Sequence, residues 1–208
     1  MSAPTVTELL SRHIPKEAIW YCQDLRQRYP FDFKVRGARL TKAGDFTVRP
    51  GRRSLITVNG DLHPYLFLVT YIHEFSHHAV HMVYGNHVEP HGKEWKLAFR
   101  TFMEPLMGRA IFPPDLEQAL IRHMKDPMAS PFYDPKLMAA FRKHDPSQKD
   151  ALTLDALPLG SVFSLHQRVY KKGAKRRSRY ECVEIESGRK YLVPADAVVH
   201  PSTPSEMT

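Results

Sequence analysis

Residues 69–95 read VTYIHEFSHHAVHMVYGNHVEPHGKEW, and how this stretch folds decides what the rest of the chain must do. Within it, His73-Glu74-Phe75-Ser76-His77 has the form H-E-x-x-H. On a helix, residues four apart stand on one face, one turn above the other, so His73 and His77 bring two imidazoles to a single point. Glu74 lies about 100° further round, beside that point without being one of its ligands. Two imidazoles on a zinc ion, with a free carboxylate to take a proton from water that the metal has acidified to a pKa of about 7, are the parts of a hydrolase. The flanking Leu66, Val69, Tyr71, Ile72, Phe75, Ala79, Val80, Met82 and Val83 are apolar, as a helix buried beneath a site requires. Pro64 suits a first helical position and Gly85 the residue past the last, so the pattern predicts a helix over 64–84.

A hydrolytic zinc site takes three protein ligands and keeps one position open, so a third donor must come from outside the pair. Four histidines follow: His78, His81, His87 and His91. His78 points about 100° away from His77, and His81 extends the row by a further turn, too far in line to close a tetrahedron. The longer pattern H-E-x-x-H-x-x-G-x-x-H is not followed, because Val80 and Val83 occupy its Gly and third His positions. His87, in the turn, stays open as a ligand, as does Glu89 beyond it. His91 is favoured. Glu89-Pro90 interrupts the chain there, and HGKEW then opens a second amphipathic helix with Trp95, Leu97, Ala98, Phe99 and Phe102 to fold it back on the first.

A helix carrying H-E-x-x-H, a short turn at Gly85, and PHGKEW with its His 14 positions after His77 resembles the SprT-like (SprT or Spartan-like) zinc metalloprotease family, bacterial type. The resemblance runs from about Trp20 to Met107 and includes SLITVNGDL at 54–62. It implies an α+β chain with a minimal zincin-like domain of helices and a small antiparallel sheet, followed by a small β module. It further implies one catalytic zinc ion on His73, His77 and His91, Glu74 as the catalytic base, and a protein or peptide substrate lying on an edge strand. Bacterial members commonly carry a zinc ribbon after the protease domain. Here only Cys182 stands in that region and C-x-x-C occurs nowhere, so a metal-free, degenerate ribbon is expected.

The remaining chain supplies scaffold. With 208 residues and 42% apolar content there is material for one good core and a small second module. Thr5 to Tyr29 reads as helix broken near Pro15. FDFKVR at 31–36, Asp45 to Val48 and Ser54 to Val58 read as three strands, the last ending in an Asn59-Gly60 turn. Asp115 to Lys125 offers a further helix. The expected domains are residues 1–128 for the protease, 129–159 for a Pro-rich linker or wrapping arm, 160–200 for the β module and 201–208 for a tail. The N-terminus has neither a basic start nor an apolar run, so no secretory signal and no membrane partner are expected. Cys22 and Cys182 alone suit a reducing compartment and exclude a disulfide framework, which points to the cytoplasm; a monomer is expected.

Lys171, Lys172, Lys175, Arg176, Arg177 and Arg179 share one hairpin with no acid among them, in a chain of net charge +8. Such a cluster suits sequence-independent contact with phosphates, although a solvated turn would read the same. DNA-activated relatives within the family favour nucleic acid. Three functions follow from these features: a zinc endopeptidase acting on DNA-associated proteins, a nucleic-acid-binding protein with a structural or weakly active zincin core, and a different zinc hydrolase acting on small amides or peptides. Glu74 favours the enzymes, because a structural zinc closed by a fourth ligand has no use for an unliganded base.

Overall fold

Thr5 opens the first helix, α1 (Val6–His13), with a capping box. Its hydroxyl accepts the Glu8 N–H at 3.2 Å, while the Glu8 carboxylate accepts the Thr5 N–H at 2.6 Å. Pro15 ends that run, and after one 3₁₀ turn α2 (Ile19–Arg28) buries Tyr21, Cys22 and Leu25. In this computed structural model the described residues are 4–39, 42–148, 151–165, 168–195 and 197–202. The chain divides into two compact units, Met1–Phe141 and Arg142–Thr208. No helix among the described residues is long and apolar enough to cross a membrane.

The first unit is α+β, as expected. Its sheet contains β1 (Asp32–Arg36), β2 (Gly44–Thr47) and β3 (Leu55–Asn59) in the order β1-β3-β2. β2 pairs antiparallel with β3, from Gly44 opposite Val58 to Thr47 opposite Leu55. β1 pairs parallel with β3, from Asp32 opposite Leu55 to Arg36 opposite Asn59, so the sheet is mixed where a wholly antiparallel one was expected. Burial explains the order. Ile56 and Val58 of β3 are fully buried, and the strand richest in buried residues takes the centre, leaving the shorter, half-exposed β2 at an edge.

Helix α3 (Pro64–Tyr84) starts at Pro64 and stops at Gly85, whose φ of 61° suits glycine and whose N–H donates to the His81 carbonyl at 2.8 Å. The next helix, α4 (Lys93–Met103), buries Trp95, Phe99 and Met103 against it. Two tyrosines fasten this core by their hydroxyls. Tyr71 of α3 donates to the Cys22 carbonyl at 3.2 Å and Tyr21 of α2 to the Phe102 carbonyl at 2.9 Å. Helices α5 (Pro114–Met124) and α6 (Pro135–His144) complete the helical set.

The second unit carries an antiparallel sheet of five strands, β4 (Val162–Leu165), β5 (Arg168–Arg176), β6 (Arg179–Glu184), β7 (Lys190–Pro194) and β8 (His200–Pro201), in the order β7-β6-β5-β4-β8. Phe163, Tyr170, Tyr180, Cys182, Val193 and Val199 fill its core together with Leu154. Between Lys172 and Lys175 the β5–β6 register slips, and at Gly173 a Cβ would stand 2.2 Å from the Glu181 carbonyl oxygen, so only glycine fits. Lys172 lies ahead of the slip, two residues after the buried Tyr170, and alternation turns it inward. Its ammonium donates to the carbonyls of Leu154 at 2.7 Å and Leu157 at 2.5 Å, and lies 3.9 Å from the centre of the Tyr180 ring. Replacing Lys172 by Met keeps the stem and strips these buried carbonyls of their donor, which costs about 2–4 kcal/mol. Hydrogen exchange of the β5 and β6 amides is therefore expected to accelerate by about 30- to 800-fold, with α3 unaffected.

Candidate metal centre

His73 and His77, one turn apart on α3, and His91, just ahead of α4, bring their Nε2 atoms together. The three separations are 3.2 Å (His73 to His77), 3.1 Å (His77 to His91) and 3.3 Å (His73 to His91). A tetrahedral ion with imidazole ligands at about 2.0–2.1 Å needs donors about 3.3–3.4 Å apart, so the triangle has the right size. A shared proton does not account for it, because a proton on one nitrogen serves one neighbour and leaves the third lone pair opposed. The group can hold a metal ion. Trp95 backs all three rings, with centroids 4.6 Å from His73, 5.4 Å from His77 and 4.8 Å from His91, and its Nε1–H donates to the His73 carbonyl at 3.4 Å.

The interior keeps these imidazoles neutral. Burial holds His73 well below the usual histidine range, with His77, His91 and His123 pushing the same way. Burial followed by His91 pushes His77 down to about 3, and burial lowers His91. Neutral rings have free lone pairs, which is the form a metal takes.

Glu74 faces β2. A Cβ at Gly44 would stand 2.5 Å from Glu74 Oε1 and 2.8 Å from Thr70 Cγ2, so the missing side chain is what lets the edge strand close on the carboxylate. Burial, and then Asp45, pushes the Glu74 carboxyl up to about 8, against the opposing pull of Arg39, Lys42 and the Phe46 N–H. A carboxylate that holds a proton this firmly can both accept one and return it near neutral pH.

The other candidates lie elsewhere. His78 is buried among Phe31, Phe46 and Phe75, with ring centroids 5.3, 5.9 and 6.1 Å away. His81 rests on Phe46 at 5.7 Å, and His87 and Glu89 are exposed and outside the metal-binding group. Of the six hairpin cations, Lys171, Arg176, Arg177 and Arg179 are exposed. Lys175 is paired with Asp155 at 2.7 Å. Lys172 does not belong with them, because its ammonium is spent inside the module. Sequence reasoning missed Trp95 as the backing of the imidazoles, Gly44 as the space beside Glu74, and Asp155 as the acid that reaches the hairpin from outside it. Only Gly44, a glycine entering a strand, carried a local signal.

Residues 20–114 match the model of the SprT-like family, whose domains are of the metallopeptidase type. No curated protein and no solved structure matches the chain.

Proposed function

For a chain whose residues 20–114 match the model of the SprT-like family, we propose a zinc-dependent endopeptidase that cuts peptide bonds with Glu74 as its base and acts on proteins associated with DNA. The observation that carries this reading is the triangle of Nε2 atoms, 3.1–3.3 Å on a side, with the buried Glu74 next in sequence to one of its corners. His73, His77 and His91 hold the zinc. Bound there, zinc supplies a Lewis acid for the scissile carbonyl and for the attacking water. Glu74 takes the proton of that water, and its buried, protonated form then delivers the proton to the departing amine. The unpaired edge of β2 receives an extended substrate by main-chain hydrogen bonds, which asks for no particular sequence.

Lys171, Arg176, Arg177 and Arg179 give the second unit a surface for phosphates. Two buried, unpaired thiols, Cys22 and Cys182, support a cytoplasmic setting, and the protein is proposed to work as a monomer. The test is cleavage of unfolded casein and of a DNA-bound protein by the zinc-loaded full chain. Cleavage is expected to stop when a chelator strips the metal and to return with one equivalent of zinc. DNA should accelerate it at low salt, with the gain fading as salt rises. Cleavage that persists in the stripped protein would remove the reading, and a rate indifferent to DNA at low salt would remove its nucleic-acid half.

A further inference from the structure

Arg39, Lys42 and Ala43, ahead of β2, are tied down by a side chain whose position, at the end of a strand before glycine, suggests only a turn. Asn59, the last residue of β3, is 3% exposed. Its Oδ1 accepts the Arg39 Nε–H at 2.7 Å, its Nδ2 donates to the Lys42 carbonyl at 2.9 Å, and its backbone N–H donates to the Ala43 carbonyl at 2.8 Å. The residue after Ala43 is Gly44, the one whose Cβ would stand 2.5 Å from Glu74 Oε1. One buried carboxamide thus sets where the β2 backbone meets the carboxylate.

The residues that flank this contact point to the same role. Asn59 grips Arg39 by its guanidinium and Lys42 by its backbone carbonyl, while the Lys42 ammonium pairs at 2.7 Å with Asp45, the residue after Gly44. Arg39 Nη2 is buried and has no hydrogen-bond partner among the described residues, so that part of its charge acts on its surroundings through space. An asparagine that served only to end a strand would not need to fasten both the Arg39 guanidinium and the backbone that leads into Gly44.

We propose that Asn59 is a positioning residue for Glu74: by gripping Arg39, Lys42 and Ala43 it keeps Gly44 against the carboxylate and so holds Glu74 in one orientation beside the imidazole cluster. The proposal rests on Glu74 being the base, and it concerns geometry, not metal affinity. Asn59→Leu keeps the volume and removes the grip. Asn59→Asp keeps the acceptor for Arg39 and loses the donor to Lys42. Val58→Ala, in the same buried strand, serves as a control for destabilisation alone.

In Asn59→Leu, kcat for casein is expected to fall by about 10²-fold, with KM and zinc stoichiometry unchanged, and Asn59→Asp should recover part of the loss. Val58→Ala should lower Tm while keeping kcat. A second readout uses cobalt(II) in place of zinc, where the visible absorption of Asn59→Leu should move toward that of Glu74→Gln and the spectrum of Val58→Ala should remain wild type. The proposal is overturned by wild-type kcat in Asn59→Leu, or by an equal loss in Val58→Ala at matched Tm. If the wild type shows no cleavage that Glu74→Gln abolishes, the role of Glu74 as base fails separately, and the cobalt spectra decide the positioning claim. An Asn59→Leu spectrum identical to wild type then refutes it.

Discussion

Glu74→Gln is expected to retain a full equivalent of zinc and to lower kcat for casein by about 10²- to 10⁴-fold, the range general-base catalysis contributes. Glutamine keeps the shape that fits against Gly44, so the loss reports on proton transfer and not on a collapsed wall. The same variant has a second signature in the metal-free protein. The Glu74 carboxyl is pushed up to about 8 from its ordinary 4.5, so its contribution to stability is complete below pH 4.5 and is lost as pH rises through about 8. Above that pH the wild type must bury a charge and the glutamine variant need not. The metal-free variant should therefore melt about 5–10 °C above the metal-free wild type at alkaline pH, with the gap closing towards pH 4.5. Undiminished turnover in Glu74→Gln would remove the proposed base.

His91→Ala should weaken zinc binding by at least about 10³-fold, measured by competition with a chromophoric chelator, and abolish cleavage at limiting zinc. Two imidazoles 3.2 Å apart remain in that variant, which is too few to close a tetrahedron. His87→Ala is the comparison, and with its ring exposed and outside the cluster it should bind zinc as the wild type does. Acid stability should move in the opposite sense. With His77 pushed down to about 3 from 6.5, its neutral form adds stability that is present above pH 6.5 and is lost as pH falls towards 3. Removing His91 relieves one of the causes, so the metal-free variant should resist acid better than the metal-free wild type. Wild-type zinc affinity in His91→Ala would exclude the third ligand.

The histidine triangle was legible because each of its determinants is local: a four-residue offset on a helix, a proline-broken turn, and an apolar stripe that folds the next helix back. The span of α3 was legible for the same reason, with Pro64 and Gly85 marking ends that helical geometry itself imposes. The parallel pairing of β1 with β3 was not, because register and order depend on which strand wins the most buried place, a comparison no single strand encodes. Lys172 was misread for a related reason. Alternation along β5 puts it on the same buried face as Tyr170, but a row of cations reads as a solvated hairpin, and the carbonyls of Leu154 and Leu157 that receive its ammonium come from outside that hairpin. Asn59 next to Gly60 has the composition of a turn, and nothing nearby in sequence hints that its amide would be spent on residues some twenty positions earlier.

Of the two indoles in the chain, Trp20 is half open to solvent while Trp95 is wholly enclosed against the three histidine rings. Their emission should separate by colour, the shielded one to the blue. An open-shell cation such as copper(II) entering among those rings would darken only the blue component, giving the protein an intrinsic optical gauge of how full its centre is.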